Sequence, residues 1–196
     1  MFARLSRFGA LVLVAALIGC STTVTRPVIP TLSYSHLPPL ELSVARVDLV
    51  EAYRSPLQDP NVEHTFPTPP ALAFKRWVSD RLRPVGQDGS LRVTIEDASA
   101  RRAPLPRTEG VEALFTTDQV ERIDATVNVL LETLDNGGNV TSTVTARAQR
   151  TRTIPEGLTL NERDQIYQEI TEALINDLNT TLEQNIRQYM ARYMAS

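Results

Sequence analysis

The chain is short of the residues that usually carry chemistry. Its 196 positions hold one cysteine, two histidines, eight glycines and, in Lys75, a single lysine. With Cys20 alone, no disulfide forms within one chain. His36 and His64 both lie in proline-rich segments, and nothing has the His/Cys spacing of a metal site. No Gly-rich turn joins a strand pattern to a helix pattern, so a nucleotide phosphate has no cradle, and Gly-x-Ser-x-Gly is missing. Glu51, Asp59, Glu63 and His64 are loop residues that could meet in space, but a solvated loop accounts for them better than an acid/base pair. The sequence therefore offers no catalytic, cofactor-binding or metal-ligating residue, and a non-enzymatic protein is expected. Positive charge is scarce too: the net charge of −3 gives no electrostatic reason to expect a nucleic acid partner. Long apolar runs are also lacking. The longest, Phe8 to Ile18, is eleven residues, about half of what a permanent bilayer-spanning helix needs.

What is present begins at that run. Arg4 and Arg7 precede it and the small residue Gly19 ends it, which together read as a secretory signal. The closing Leu17-Ile18-Gly19-Cys20 resembles the lipobox of bacterial lipoproteins. That resemblance implies cleavage before Cys20, diacylglycerol on its thiol and acylation of its new amine. Residues 1–19 would then be a signal peptide. The mature chain would start at Cys20 with 177 residues, and loss of Arg4 and Arg7 would move its net charge from −3 to −5. Membrane attachment would rest on several acyl chains at Cys20, since one short chain binds only reversibly. Ser21 follows the cysteine, where lipoproteins retained in the inner membrane commonly carry aspartate. The resemblance thus implies lipid anchoring at the periplasmic face of the outer membrane.

Residues 20–39 are rich in Ser, Thr and Pro, and proline fixes φ and removes a donor. They read as a tether. An arm laid over the domain is the other reading, with Leu32, Tyr34 and Leu37 able to dock. Residues 40–196 read as one domain. Leu40, Leu42 and Val44 alternate as a half-buried strand, but Val47 and Leu49 sit in the opposite phase, which calls for a bulge near Ala45-Arg46 or burial on both faces. A proline-rich loop runs from Tyr53 to Pro70. Thr68-Pro69-Pro70 opens a helix, with Thr68 as N-cap and Phe74, Trp77, Val78 and Leu82 as its apolar stripe. Leu91, Val93 and Ile95 mark a strand extending toward Ala100, ended by Pro104 and Pro106. Val111, Leu114 and Phe115 suggest a short helical turn.

The clearest unit is a β-hairpin. Ile123, Ala125, Val127, Val129, Leu131 and Thr133 share one strand face, and Val140, Val144, Ala146 and Ala148 share another. Asn136-Gly137 between them suits the positive φ values of a tight turn. Closure there pairs Val129 with Val144 and Val127 with Ala146. The other face, with Thr126, Asn128, Thr141, Thr143 and Thr145, is polar but for Leu130 and Leu134, as in an antiparallel sheet covered on one side. Thr159 and Glu162 then form a capping box. The stripe Ile166, Ile170, Leu174, Leu178, Leu182, Ile186, Tyr189 and Tyr193 steps by fours as far as Ile186, so it must cross the sheet diagonally or break near Asn176 to Thr181.

The expected fold class is α+β: an antiparallel-rich four-stranded sheet, order β-α-β-β-β-α, with two helices on one face. After a lipobox this layout resembles the auxiliary lipoproteins of lipid-transporting ABC systems. The resemblance implies a non-catalytic partner or lipid-binding component of an envelope transport or assembly complex; an envelope enzyme with an unrecognised site is the alternative. A helix from Asn161 to Met194 would outrun a ten-residue strand. This leaves Tyr189, Met190, Tyr193 and Met194 either as a partner contact or folded back on the Tyr53–Pro70 loop.

Overall fold

A computed structural model describes residues 30–105 and 119–195. In chain order the elements are β1 (Leu40–Leu42), β2 (Arg46–Glu51), a 3-10 turn (Glu63–Thr65), α1 (Pro70–Arg81), β3 (Leu82–Pro84), β4 (Ser90–Asp97), β5 (Ala100–Pro104), β6 (Gln119–Leu134), β7 (Val140–Pro155), α2 (Leu160–Tyr189) and a closing 3-10 turn (Ala191–Tyr193). The fold is α+β with two helices. The main sheet, however, has five strands of mixed orientation rather than four antiparallel ones, and a two-stranded parallel sheet, β1 with β3, stands beside it.

Two breaks in the chain make the difference. The first is the phase flip after Val44, where the chain leaves the small sheet for the large one. The Leu42 and Val44 carbonyls accept from the Val85 and Gly86 N–H groups, while the Ala45 N–H turns to the carbonyls of Asp88 and Gly89. A Cβ on Gly86 would lie 2.5 Å from the Ser43 carbonyl carbon, so this crossing requires glycine. The second break, at Ala98-Ser99, splits one expected strand into β4 and β5. Both lie antiparallel along the same edge of β6. β2 then joins the far edge of β4 in parallel, Val47 beside Leu91 and Leu49 beside Val93, because a helical crossover brings the chain back to the same end of the sheet.

β6 and β7, sixteen residues each, are the frame of the sheet. Their register is displaced by two residues from the expected one: Val129 faces Ala146, Val127 faces Ala148 and Leu131 faces Val144. The turn explains this. The Asp135 N–H bonds to the Asn139 carbonyl and the Gly138 N–H to the Asp135 carbonyl. The positive φ, 80°, falls on Gly138 and not on Gly137. This is a type I turn closed by a left-handed glycine, longer than a two-residue Asn-Gly loop. The Asp135 carboxylate fixes it by accepting from the Gly137 and Asn139 N–H groups. A displacement of two keeps each side chain on its own face, but Val140, expected in the buried row, lies beyond a register shift at Thr133/Leu134 and is 47% exposed. Ile123, Ala125, Val127, Val129, Leu131 and Thr133 with Val144, Ala146 and Ala148 form the buried row.

That row, with Leu91, Val93 and Ile95 of β4, is covered by the two helices. α1 has Pro69 rather than Thr68 as its N-cap and Pro70 in the first turn, where the missing donor costs nothing. Thr68 is buried and its carbonyl accepts the Thr171 hydroxyl. α2 starts from the Thr159–Glu162 capping box and runs unbroken for 30 residues. The weak helix formers expected to break it have local partners. Asn179 accepts the Trp77 indole N–H at 2.8 Å, and the Thr180 and Thr181 hydroxyls donate to the Asn176 and Asp177 carbonyls. A 30-residue helix is about 45 Å long and a 16-residue strand about 53 Å. The helix therefore does not outrun its sheet.

Residues 30–39 lie against the domain. The Tyr34 N–H donates to Asp80 Oδ2 at 2.7 Å, Gln168 Nε2 donates to the Pro30 carbonyl at 3.1 Å, and the buried Arg81 binds both the Pro38 carbonyl and Glu183. Tyr34 is buried, and Leu32 and Leu37 pack on the core. The segment expected to be a signal peptide, Cys20 and the turn expected around Val111, Leu114 and Phe115 lie outside the described residues. No helix among the described residues is long and apolar enough to cross a membrane.

Candidate functional site

The four residues expected at a partner contact divide sharply. Met190, the C-cap of α2, is 0% exposed. The chain then doubles back. Tyr193 accepts the Ser43 N–H at 2.7 Å, the Ala195 N–H donates to Glu41 at 3.0 Å, and Met194 bridges Leu42. The Tyr193 hydroxyl sits 2.5 Å from Thr141 Oγ1. Met190, Tyr193 and Met194 thus pack on the core, with the turn bound to β1 and the hairpin rather than to the Tyr53–Pro70 loop. Only Tyr189 stands out, 58% exposed. The Ser142 hydroxyl donates to its carbonyl, and Val140, two residues earlier on β7, is 47% exposed. Arg192 is exposed beside them, its guanidinium 4.8 Å from the centre of the Tyr193 ring. Tyr189, Val140 and Arg192 are thus among the side chains that this end offers to solvent, with Gln188 and Ala191.

Of the four loop residues, the structure brings Glu51, Glu63 and His64 to one pocket of about 620 Å³, with Tyr53 and Arg54. Glu63 is buried and its oxygens are engaged, by the Tyr53 hydroxyl at 2.5 Å, the Ala100 N–H at 3.0 Å and Asn61 Nδ2 at 3.4 Å. Burial pushes the Glu63 carboxyl up, but donors from Ser55, Tyr53 and Ala100 outweigh it and hold the group below the ordinary glutamate value. Tyr53 is pushed well above its usual range by burial and by Glu63. Glu51 pairs with Lys75 at 2.7 Å, and Asp59 leaves the group to pair with Arg102 at 2.6 Å. Glu63 ties the proline-rich loop to the start of β5, and its ionised state suits that role rather than proton donation. Nothing in the local sequence distinguishes it from the exposed His64 beside it.

Sequence reasoning also missed a cleft between this loop and the first turn of α2, about 520 Å³ in volume. Arg102 and Arg163 line it, and both reach the buried Glu121, at 3.6 and 2.5 Å. Tyr167 forms one wall, stacked on Phe66 with ring centres 4.2 Å apart. Its two lips are apolar: Leu57, 67% exposed, and Leu160, 76% exposed. Leu57 has φ of 57°, the one non-glycine positive φ among the described residues, a conformation costly for a side chain of its size.

Among the described residues no three His, Cys, Asp or Glu side chains group as a metal site. No protein-family model matches the chain, and no curated protein does. A crystal structure of a minor lipoprotein from Acinetobacter baumannii is similar at 14% identity, over 79% of this chain and 98% of that one, with a TM-score of 0.38. A likeness at that level carries neither fold family nor role.

Proposed function

We propose that this protein is a bacterial envelope lipoprotein, anchored through acylated Cys20 at the periplasmic face of the outer membrane. Its domain serves as a non-catalytic component of a transport or assembly complex. The observation that carries this reading is Leu17-Ile18-Gly19-Cys20 at the end of a short, positively led apolar segment. The surface proposed for a protein partner centres on Tyr189, Val140 and Arg192; Met190, Tyr193 and Met194 are engaged with the chain's own core. Tyrosine and arginine are enriched where proteins meet, and truncating such anchors typically costs more than other contacts do.

Mass spectrometry of the membrane-extracted protein tests the anchor: acylated Cys20 is expected at the N-terminus, and Cys20→Ala should be lost from the membrane fraction. Unmodified Cys20 recovered from membranes refutes the reading. In vivo crosslinking from position 189 tests the partner, with a specific adduct expected that is lost on Arg192→Glu.

A further inference from the structure

The arm sets where the domain sits relative to its anchor. Because residues 30–39 are fastened to α1 and α2, only the stretch from Cys20 to Pro30 separates the anchor from the folded body. Ten residue steps span at most about 35 Å, half the reach of a tether running to residue 39. The stretch joins the domain at Gln168, in the first third of α2. From Gln168 it is about 12 Å along the helix to Leu160 but about 32 Å to Tyr189. For the Tyr189 end to reach the bilayer, nearly the whole contour length would have to be drawn out, whereas the Leu160 end needs a third of it.

The near end is also the apolar one. Leu160 and Leu57 are the two most exposed large hydrophobic side chains among the described residues, and they flank the same cleft. Exposed singly, a leucine needs no explanation, but here two line one cleft at the tether's end of the molecule. Both arginines of the cleft are paired within the chain, Arg163 with Glu121 and Arg102 with Asp59 and Glu121, and Asp164 and His64 line it as well.

We infer that the end of the domain bearing Leu57 and Leu160 rests on the bilayer that holds the acylated Cys20, its two leucines entering the headgroup boundary. The opposite end, with Tyr189 and the hairpin turn, is presented away from the membrane. This inference rests on the lipid anchor proposed above. With both arginines of the cleft paired within the chain, contact requires no anionic lipid.

The test uses the full lipidated protein in phosphatidylcholine vesicles carrying a doxyl-labelled lipid. Acylation occupies the only native thiol, so Leu160→Cys and Tyr189→Cys each give one free site for a fluorophore, both on exposed positions. Several-fold stronger quenching at position 160 than at 189 is expected, and inserting a long Gly/Ser segment between Cys20 and Pro30 should reduce it. Equal quenching at the two positions, or stronger quenching at 189, overturns the inference while the anchor stands. Unacylated Cys20 in the same vesicles overturns the anchor itself.

Discussion

Met190→Ala and Tyr189→Ala change neighbouring residues of one helix end, and the structure predicts opposite outcomes. Met190 has no exposed surface and packs in the core beneath the turn that returns to β1. Truncating a buried methionine costs about 2–5 kcal/mol, from lost transfer energy and the cavity left behind. Relaxation here is restricted. The flanking backbone is held by Met190 N–H to Ile186, Ser43 N–H to Tyr193 and Ala195 N–H to Glu41, so about 3 kcal/mol is a reasonable centre. In a domain of this size each kcal/mol moves the melting temperature by about 2–4 °C, so a fall of about 6–12 °C is expected. Tyr189 is 58% exposed and hydrogen bonds through its backbone carbonyl, which alanine keeps. Its substitution should stay within about 0.5 kcal/mol. The assay is thermal unfolding of the soluble Cys20→Ser mature chain followed by circular dichroism, with urea unfolding as a second probe. If Met190→Ala melts with the parent, or Tyr189→Ala melts earlier than Met190→Ala, the C-terminal turn is not the core element described here.

Two further expectations concern the hairpin and pH. Gly138→Val forces a β-branched residue to φ of 80° and should cost about 1–3 kcal/mol, whereas Gly137→Val, at a residue without positive φ, should cost less; urea midpoints rank the two. Glu183 is held below the ordinary value of 4.5 by Arg187, against burial, and by Arg81. The unfolded chain therefore takes up that proton first, and the stability due to the ion pair is complete above 4.5 and lost as pH falls below it. Glu183→Gln should flatten the decline in urea midpoint between neutral pH and about pH 3; Glu63, shifted the same way, leaves part of the slope. An unchanged slope would count against the pairing of Glu183 with Arg187 and Arg81.

By itself the sequence determined what depends on neighbours a few residues apart. Period-two alternation specifies which faces of β4, β6 and β7 are buried, because side chains alternate across a strand whatever it pairs with. Thr159 and Glu162 specify the start of α2, since the capping box closes within four residues. The flip between Val44 and Val47 specified that something must break there. What it left open is decided by contacts between distant parts of the chain. Whether that break is a bulge or a change of sheet depends on Val85 and Gly86 meeting Leu42 and Val44, some forty residues away. α2 stays whole at Asn179 because Trp77 supplies a donor from 102 residues earlier. The hairpin register turned on which glycine takes positive φ, in a turn whose Asn136 accepts from the Gly89 N–H and donates to Asp88, 47 and 48 residues away. Glu63 beside His64, and Met190 beside Tyr189, show the same limit: a local pattern proposes a burial, but only the packing of remote segments decides which of two neighbours goes inside.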